Sequence, residues 1–97
     1  MEKERITENE ELLDSISSTI VETNKALEEF KTLKEKIELL NKYYGSKDWF
    51  KDKEDFEAGK ISNIKAGVLS EDAVWNINEE LADTIKEMKE IIQLFSK

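Results

Sequence analysis

Acidic side chains are concentrated in a short stretch in the middle of the chain: Asp48, Asp52, Glu54, Asp55 and Glu57. Hard cations prefer several carboxylate oxygens, so this run is the first candidate for a metal site. The run falls in a predicted helix, however, on which its members point in different directions, and lysines are interleaved with them. Its distance from Gly59 does not match the spacing of an EF-hand loop. We interpret it as a solvated helix of mixed charge and predict no metal site and no cofactor.

The residue types that most often carry catalysis are absent. The sequence has no His and no Cys, so it lacks the commonest general base and the thiolate nucleophile. Ser70 is the one hydroxyl with distinctive surroundings, but the acidic residues that follow it favour a helix cap over an activated nucleophile. The glycines are too far apart for a phosphate-binding loop. We therefore expect no enzyme activity.

Aromatic residues form a second group with possible chemistry: Tyr43, Tyr44, Trp49, Phe50 and Trp75. Packing at one end of a helical hairpin would explain them. Alternatively, an exposed Trp49 with Phe50 and Asp52 beside it would make a binding hot spot for another protein. The sequence leaves both interpretations open.

A long amphipathic helix is predicted over residues 6–44, where there is no Gly or Pro. Apolar residues recur there at spacings of three, four and seven: Ile6, Leu13, Ile16, Ile20, Leu27, Phe30, Ile37 and Tyr44. Polar residues interrupt the same seam, namely Asn9, Thr23, Lys34 and Asn41, which favours bundle packing over a strict coiled coil. The residues of the hydroxyl-rich segment Ser15 to Thr19 are poor helix formers, so this is where a bend or break of the predicted helix would form most readily, and the sequence leaves its continuity there open.

The second half predicts shorter elements separated by glycines. Gly45 is expected to end the first helix, a short helix follows over residues 47–58, and Gly59 begins a linker that contains Gly67 and extends to residue 69. Ser70 is expected to cap a helix over residues 71–96. Glu71 and Asp72 would add negative charge in its first turn, and Leu69 and Val74 occupy the positions of a hydrophobic staple.

Charge placement favours an antiparallel hairpin of the two long helices. Acidic residues come early and lysines late in each, so an antiparallel pair sets opposite charges side by side. We therefore predict a single all-α domain over residues 1–97, with the short helix and the linker at the turn end. The first helix would extend beyond the second and leave Ile6, Leu12, Leu13 and Ile16 uncovered. A first helix that bends and folds back is the alternative.

Composition limits the partners. The formal net charge of −8 argues against direct binding of nucleic acid, which needs clustered Lys and Arg. No apolar stretch is long enough to cross a bilayer, and the charged N-terminal segment does not resemble a signal peptide, so we expect a cytoplasmic protein without membrane contact.

Specific stretches resemble a known family. The chain has Tyr43-Tyr44, Trp49, Asp52, the run Glu57 to Lys60, and the run Gly67 to Val74, which reads Gly-Val-Leu-Ser-Glu-Asp-Ala-Val. These are similar to a family of small, mostly Firmicute bacterial proteins catalogued as a domain of unknown function. This chain departs from the pattern at Ile61-Ser62, where the family has Leu-Pro, and at Trp75, where it often has Tyr. The resemblance implies no catalysed reaction. It implies that Trp49, Asp52, Gly59, Gly67, Ser70, Glu71 and Asp72 serve a common structure or a common partner.

The preferred function is a non-enzymatic interaction module that binds itself or another helical protein through the first helix and the Trp49 region, with a homo-oligomer such as a dimer expected. The alternative is an acidic inhibitor, immunity protein or nucleic-acid mimic directed at a basic partner. A secreted helical hairpin is a third possibility, although its usual Trp-x-Gly turn is missing, since Phe50 and Lys51 follow Trp49.

Overall fold

The computed structural model describes residues 1–96 and consists of helices joined by short connections. The four α-helices are α1 (Glu2–Lys31), α2 (Leu33–Tyr43), α3 (Lys47–Glu57) and α4 (Ala73–Phe95), and a 3₁₀ helix spans Gly67–Leu69. None of the described residues forms a strand, and the all-α prediction is confirmed. Within the same residues, no helix is long and apolar enough to cross a membrane.

The chain divides into two compact units, Met1–Ile37 and the residues from Glu38 onwards, and the boundary lies within α2. The first unit contains all of α1, and the second contains α3, the 3₁₀ helix and α4. The expectation of a single domain over residues 1–97 stays a prediction.

The interruption of the first long helix lies at Thr32, between α1 and α2. The hydroxyl of Thr32 donates to the carbonyl oxygen of Glu29 at 2.6 Å, and its backbone N–H donates to the same oxygen at 3.1 Å. A threonine that bonds back to its own helix in this way disturbs the regular backbone ladder. Helix α1 is continuous through Ser15 to Thr19, which answers a question that the sequence left open, and the predicted helix over residues 6–44 is interrupted at Thr32 instead. All residues from Ser15 to Thr19 are exposed, so water can satisfy their hydroxyls.

In the second unit, the end of α2 runs antiparallel to the start of α4. The Tyr44 hydroxyl donates to the carbonyl oxygen of Glu71 at 2.6 Å, and one turn earlier the Asn41 and Asn78 side chains are joined, with Asn78 Nδ2 3.0 Å from Asn41 Oδ1. Asn41 precedes Tyr44 in the chain, whereas its partner Asn78 follows Glu71. The two segments therefore run in opposite directions. This bonding also gives a polar partner to Asn41, which sequence periodicity assigned to the apolar seam.

The most buried side chains of the second unit are Trp49 on α3, Leu69 in the 3₁₀ helix and Val74 on α4. Trp49 and Val74 come from helices that are separated by the linker, and Leu69 lies at the end of that linker. The end of the linker therefore packs into the core of this unit through Leu69, whereas Ile64 in its middle is 60% exposed. Asn63 beside Ile64 has a positive φ of 62°.

Two of the three glycines need their conformational freedom. Gly45 and Gly59 have φ values of 77° and 79°, a left-handed conformation that costs little without a Cβ, and they follow α2 and α3 respectively. Gly67 has no positive φ and begins the 3₁₀ helix instead. Its expected role as a turn glycine therefore has no support from its backbone conformation.

Both helix starts in the second unit use a serine. Ser46 Oγ accepts from the backbone N–H of Trp49 at 3.2 Å and caps α3. Ser70 Oγ accepts from the N–H groups of Asp72 and Ala73, each at 3.2 Å. Helix α4 begins at Ala73, and Glu71 and Asp72 form the turn that precedes it. Ser70 thus satisfies two backbone donors that a helix start leaves without partners.

Candidate interaction surfaces

Helix α1 carries an exposed apolar stripe, which we define as Ile6, Leu13, Ile16, Ile20 and Leu27. These side chains recur at helical spacing on one side of α1, and their exposed fractions range from 40% to 62%. Leu12 and Val21 flank the stripe and are 61% and 65% exposed. No residue of α1 is buried. The predicted interaction residues Ile6, Leu12, Leu13 and Ile16 are therefore all accessible on one helix.

The second candidate surface surrounds Trp49, and here the structure corrects the expectation. The side chain of Trp49 is only 4% exposed, and its Nε1 donates to the carbonyl oxygen of Val68 at 2.9 Å. Its ring makes edge-on contacts with Tyr44 and Phe50, at centroid distances of 5.0 Å and 4.9 Å. A side chain enclosed in this way holds the unit together and offers a partner almost no surface. Of the two interpretations that the sequence left open, packing accounts for Trp49 itself, and an interaction role of the surrounding region stays a prediction.

Other aromatic residues are exposed in its place. Phe50 is 61% exposed at the edge of the Trp49 ring, and Trp75 is 63% exposed on the first turn of α4. Of the predicted pair of α3 anchors, Phe50 alone offers an apolar surface to a partner.

Lys53 lies over the buried indole. Its Nζ is 5.3 Å from the centre of the Trp49 ring and 2.9 Å from Glu71 Oε1. The hydrogen bond to Glu71 raises the pKa of Lys53, and the same bond lowers the pKa of Glu71. Lys53 therefore stays positive at neutral pH and links α3 to the turn before α4, which gives Glu71 a role beyond the predicted charge at a helix start.

Asp52 is engaged within its own unit. The hydroxyl of Tyr43 donates to Asp52 Oδ2 at 2.6 Å. This hydrogen bond, with burial and the negative charges of Asp52 and Asp48, raises the pKa of Tyr43 to about 12. Asp52 thus ties α3 to the end of α2, and a partner would have to compete with the phenol for its carboxylate.

A shallow depression of about 240 Å³ lies beside the Trp49 region. Its lining combines charged, apolar and hydroxyl-bearing residues: Lys53, Phe56, Glu57, Ala66, Leu69 and Ser70. The Ser70 hydroxyl at its rim accepts two backbone hydrogen bonds as a helix cap. Among the described residues, no group of three or more Asp or Glu side chains is arranged to hold a metal ion.

The sequence identified the residues that matter in this region but not which of them form hydrogen bonds and ion pairs with each other. Asn41 was recognisable as a polar residue on an apolar seam, and such a residue requires a polar partner when it packs. The sequence gives no comparable signal for the pairing of Lys53 with Glu71, because neither helical spacing nor composition relates α3 to the turn before α4. The left-handed conformation of Asn63 is likewise recognisable only as a tendency of Asn.

Comparison with known proteins places the chain in one family. No curated protein and no solved structure matches it. The sequence matches the family described as Domain of unknown function (DUF4298) over residues 6–93, which include α2, α3 and most of α1 and α4. This match confirms the resemblance to a domain-of-unknown-function family at the level of the family itself. The chain is a member of the DUF4298 family.

Proposed function

We propose that the chain is a non-enzymatic interaction module that binds a second copy of itself or another helical protein through the apolar stripe of α1. The observation that carries the proposal is the accessibility of this stripe: each of its five side chains is at least 40% exposed. A side chain of Leu or Ile gains about 1.5–3 kcal/mol when it is fully buried, so covering the stripe would be strongly favourable.

Helix energetics support the same proposal. Isolated helices are marginal in water, and most helices in proteins are stabilised by packing of an apolar face. Helix α1 spans Glu2–Lys31 and has no buried residue. A helical partner laid along the stripe would supply the missing packing, in the manner of a helix in a groove or a bundle. We further propose that the protein is bacterial and cytoplasmic and forms dimers; the family resemblance and the composition support these assignments.

Sedimentation velocity of the full chain over a wide concentration range tests the proposal. We expect concentration-dependent association of the wild-type protein. Leu13→Glu places a charge in the stripe and should abolish association. Ser18→Glu adds the same charge on the opposite side of the same helix and should leave association unchanged. A wild-type protein that remains monomeric at the highest concentrations would rule out self-association, and equal effects of the two substitutions would rule out the stripe.

A second candidate function rests on charge. The first half of α1 has exposed acidic residues on a chain with a net charge of −8: Glu8, Glu10, Glu11 and Asp14. An inhibitor or nucleic-acid mimic would use such a surface against a basic protein. Its binding would weaken steeply as salt is added, because screening acts on exposed charges. Binding through the apolar stripe would not show this loss.

A further inference from the structure

The seam of α1 has a symmetry that points to a particular partner. Counting in heptads from Ile6, the apolar seam residues on α1 are Ile6, Leu13, Ile16, Ile20, Leu27 and Phe30. Polar residues interrupt the seam at Asn9 and Thr23 on α1 and at Lys34, just after Thr32. Read from either end, the order of apolar and polar positions is nearly the same, with its centre between Val21 and Glu22.

We propose that the partner of α1 is the α1 helix of a second copy, laid antiparallel and centred between Val21 and Glu22. This inference rests on the proposed function. In this register Leu13 faces Phe30 of the second copy, Ile16 faces its Leu27, and Ile20 faces its Thr23. The polar positions also coincide, because Asn9 faces Lys34 of the second copy. Apolar residues are thereby covered by apolar ones and the outer interruptions meet each other, and the pair of Ile20 with Thr23 at the centre is the exception.

Other registers lack this match. Moving one copy by a heptad in one direction places Leu27 against Asn9 of the second copy, and in the other direction places Ile16 against Lys34. The first shift also places Leu13 against Thr23 and the second also places Leu27 against Thr23. Each shift therefore has two kinds of apolar–polar pair, whereas the proposed register has one, Ile20 against Thr23. A one-heptad slip is the natural competitor for a helix pair, so the matched pattern specifies the register as well as the partner.

Charge selects the antiparallel direction. A parallel pair would lay the acidic segment at residues 8–14 against itself and Lys34 against Lys34 of the second copy. The antiparallel pair brings Glu10 beside Lys31 of the second copy, at flanking positions whose side chains meet across such a seam. Lys31 is available for this contact, since its present partner Glu28, at 2.9 Å, is a neighbour on the same exposed helix surface.

Spin-label distances on the full chain test the direction and the register. The chain has no Cys, so Glu11→Cys, Ser18→Cys and Lys25→Cys each give one label, all on the side of α1 opposite the seam. In the proposed dimer, labels at positions 18 and 25 lie equally far from the centre. Their axial offsets are each roughly 10 Å, whereas the offset at position 11 is roughly 32 Å. We therefore expect equal distances at 18 and 25 and a longer one at 11.

Each outcome is decisive. Equal distances at all three positions would mean a parallel dimer, and unequal distances at 18 and 25 would mean another register; both overturn the inference but leave the proposed self-association intact. The absence of any dipolar coupling at high concentration would overturn self-association and this inference together. As an independent measure, Glu10→Lys and Lys31→Glu should each raise the dimer dissociation constant roughly fivefold, and the double variant should restore it. A double variant that is weaker than both single variants would contradict the antiparallel contact.

Discussion

The indole of Trp49 joins α3 to the linker through its bond to the carbonyl oxygen of Val68. Trp49→Phe would remove the donor, leave that carbonyl without its partner and create a small cavity. We expect a loss of about 1–3 kcal/mol in the free energy of unfolding, measured by urea denaturation.

The matched control is Trp75→Phe, since Trp75 is 63% exposed on α4. This change should alter the free energy of unfolding by less than about 0.5 kcal/mol. Because the chain has only two Trp residues, the Trp75→Phe protein also reports the fluorescence of Trp49 alone. Easy quenching of that fluorescence by a soluble quencher would contradict the burial of Trp49.

The pairing of Tyr43 with Asp52 predicts a pH dependence. In the Tyr44→Phe background Tyr43 is the only tyrosine, and phenolate absorbance should show its pKa at about 12. Asp52→Asn should lower this pKa toward the ordinary value of 10.0, because it removes the charged acceptor. Asp48→Asn is the control with the smaller effect, since the charge of Asp48 is the weakest of the causes.

The sign of the stability effect follows from the direction of the shift. The folded state holds the phenolic proton more tightly than the unfolded state does. The stabilisation from Tyr43 is therefore complete below pH 10.0 and is lost as the pH rises to about 12. Asp52→Asn should make the unfolding free energy less steeply dependent on pH in this interval. An unchanged slope would contradict the role of Asp52.

For single residues, the sequence showed which residue types matter but not what surrounds each of them in the fold. It identified Trp49 and Asp52 as important, but burial depends on residues distant in sequence such as Val68 and Leu69. An aromatic side chain that stays exposed can anchor a partner, whereas one that other residues cover becomes the centre of a core. Only the path of the linker decides between these two roles.

At the scale of elements, the glycines offer a matched pair of substitutions. Gly45→Ala forces a side chain into a left-handed conformation and should cost about 1–2 kcal/mol of unfolding free energy. Gly67→Ala has no such strain and meets no atom within 4 Å. It should be neutral or stabilising by up to about 1 kcal/mol, because the unfolded chain loses freedom. Thermal and urea denaturation would measure both, and an equal loss would contradict the assigned backbone conformations.

The Ser70 hydroxyl makes a separate prediction about α4. Ser70→Ala removes the acceptor of two backbone N–H groups and should reduce the unfolding free energy by about 1 kcal/mol. Ser62→Ala, in the exposed part of the linker, serves as the control and should have little effect. Ser70→Asp should retain most of the stability, since a carboxylate also accepts these bonds. Failure of that rescue would indicate a role other than capping.

The sequence predicted the helices but not the place where the first long helix is interrupted. The apolar periodicity indicated the long helical segment and the cap residues indicated the start of α4. The interruption lies at Thr32, whose hydroxyl bonds back three residues to Glu29. The hydroxyls of Thr7 and Thr84 bond back four residues inside continuous helices, and the Ser15 to Thr19 segment also remains helical. Helix propensity does not distinguish the two places, because Ser and Thr differ little on that scale.

For the whole molecule, the net charge predicts how salt affects association. Two copies with a charge of −8 each repel one another, and added salt screens that repulsion. We expect the proposed dimer to become moderately tighter between low and physiological ionic strength, as measured by sedimentation equilibrium. The proposed contact of Glu10 with Lys31 would oppose this trend but involves few of the charges. A steep weakening with salt would favour the acidic-surface function instead.

The all-α fold class could be predicted from composition and from the spacing of apolar residues, since a chain without Pro and with helical periodicity is compatible with few other folds. The division into units was not. It falls inside α2, where the sequence has no glycine, no proline and no change of composition. Such a boundary depends on contacts between residues that are distant in the sequence. The residue types next to the boundary therefore cannot indicate it.

The absence of burial along α1 affects how freely its sequence can change. A substitution in a packed core leaves a void or a clash, so Trp49, Leu69 and Val74 tolerate few replacements. A replacement in the exposed apolar stripe of α1 leaves no void in the chain itself, and in the proposed dimer its cost would arise only on association. Two genes that diverge from a common ancestor could therefore acquire mutually exclusive pairing by altering this one helix while keeping the same internal architecture.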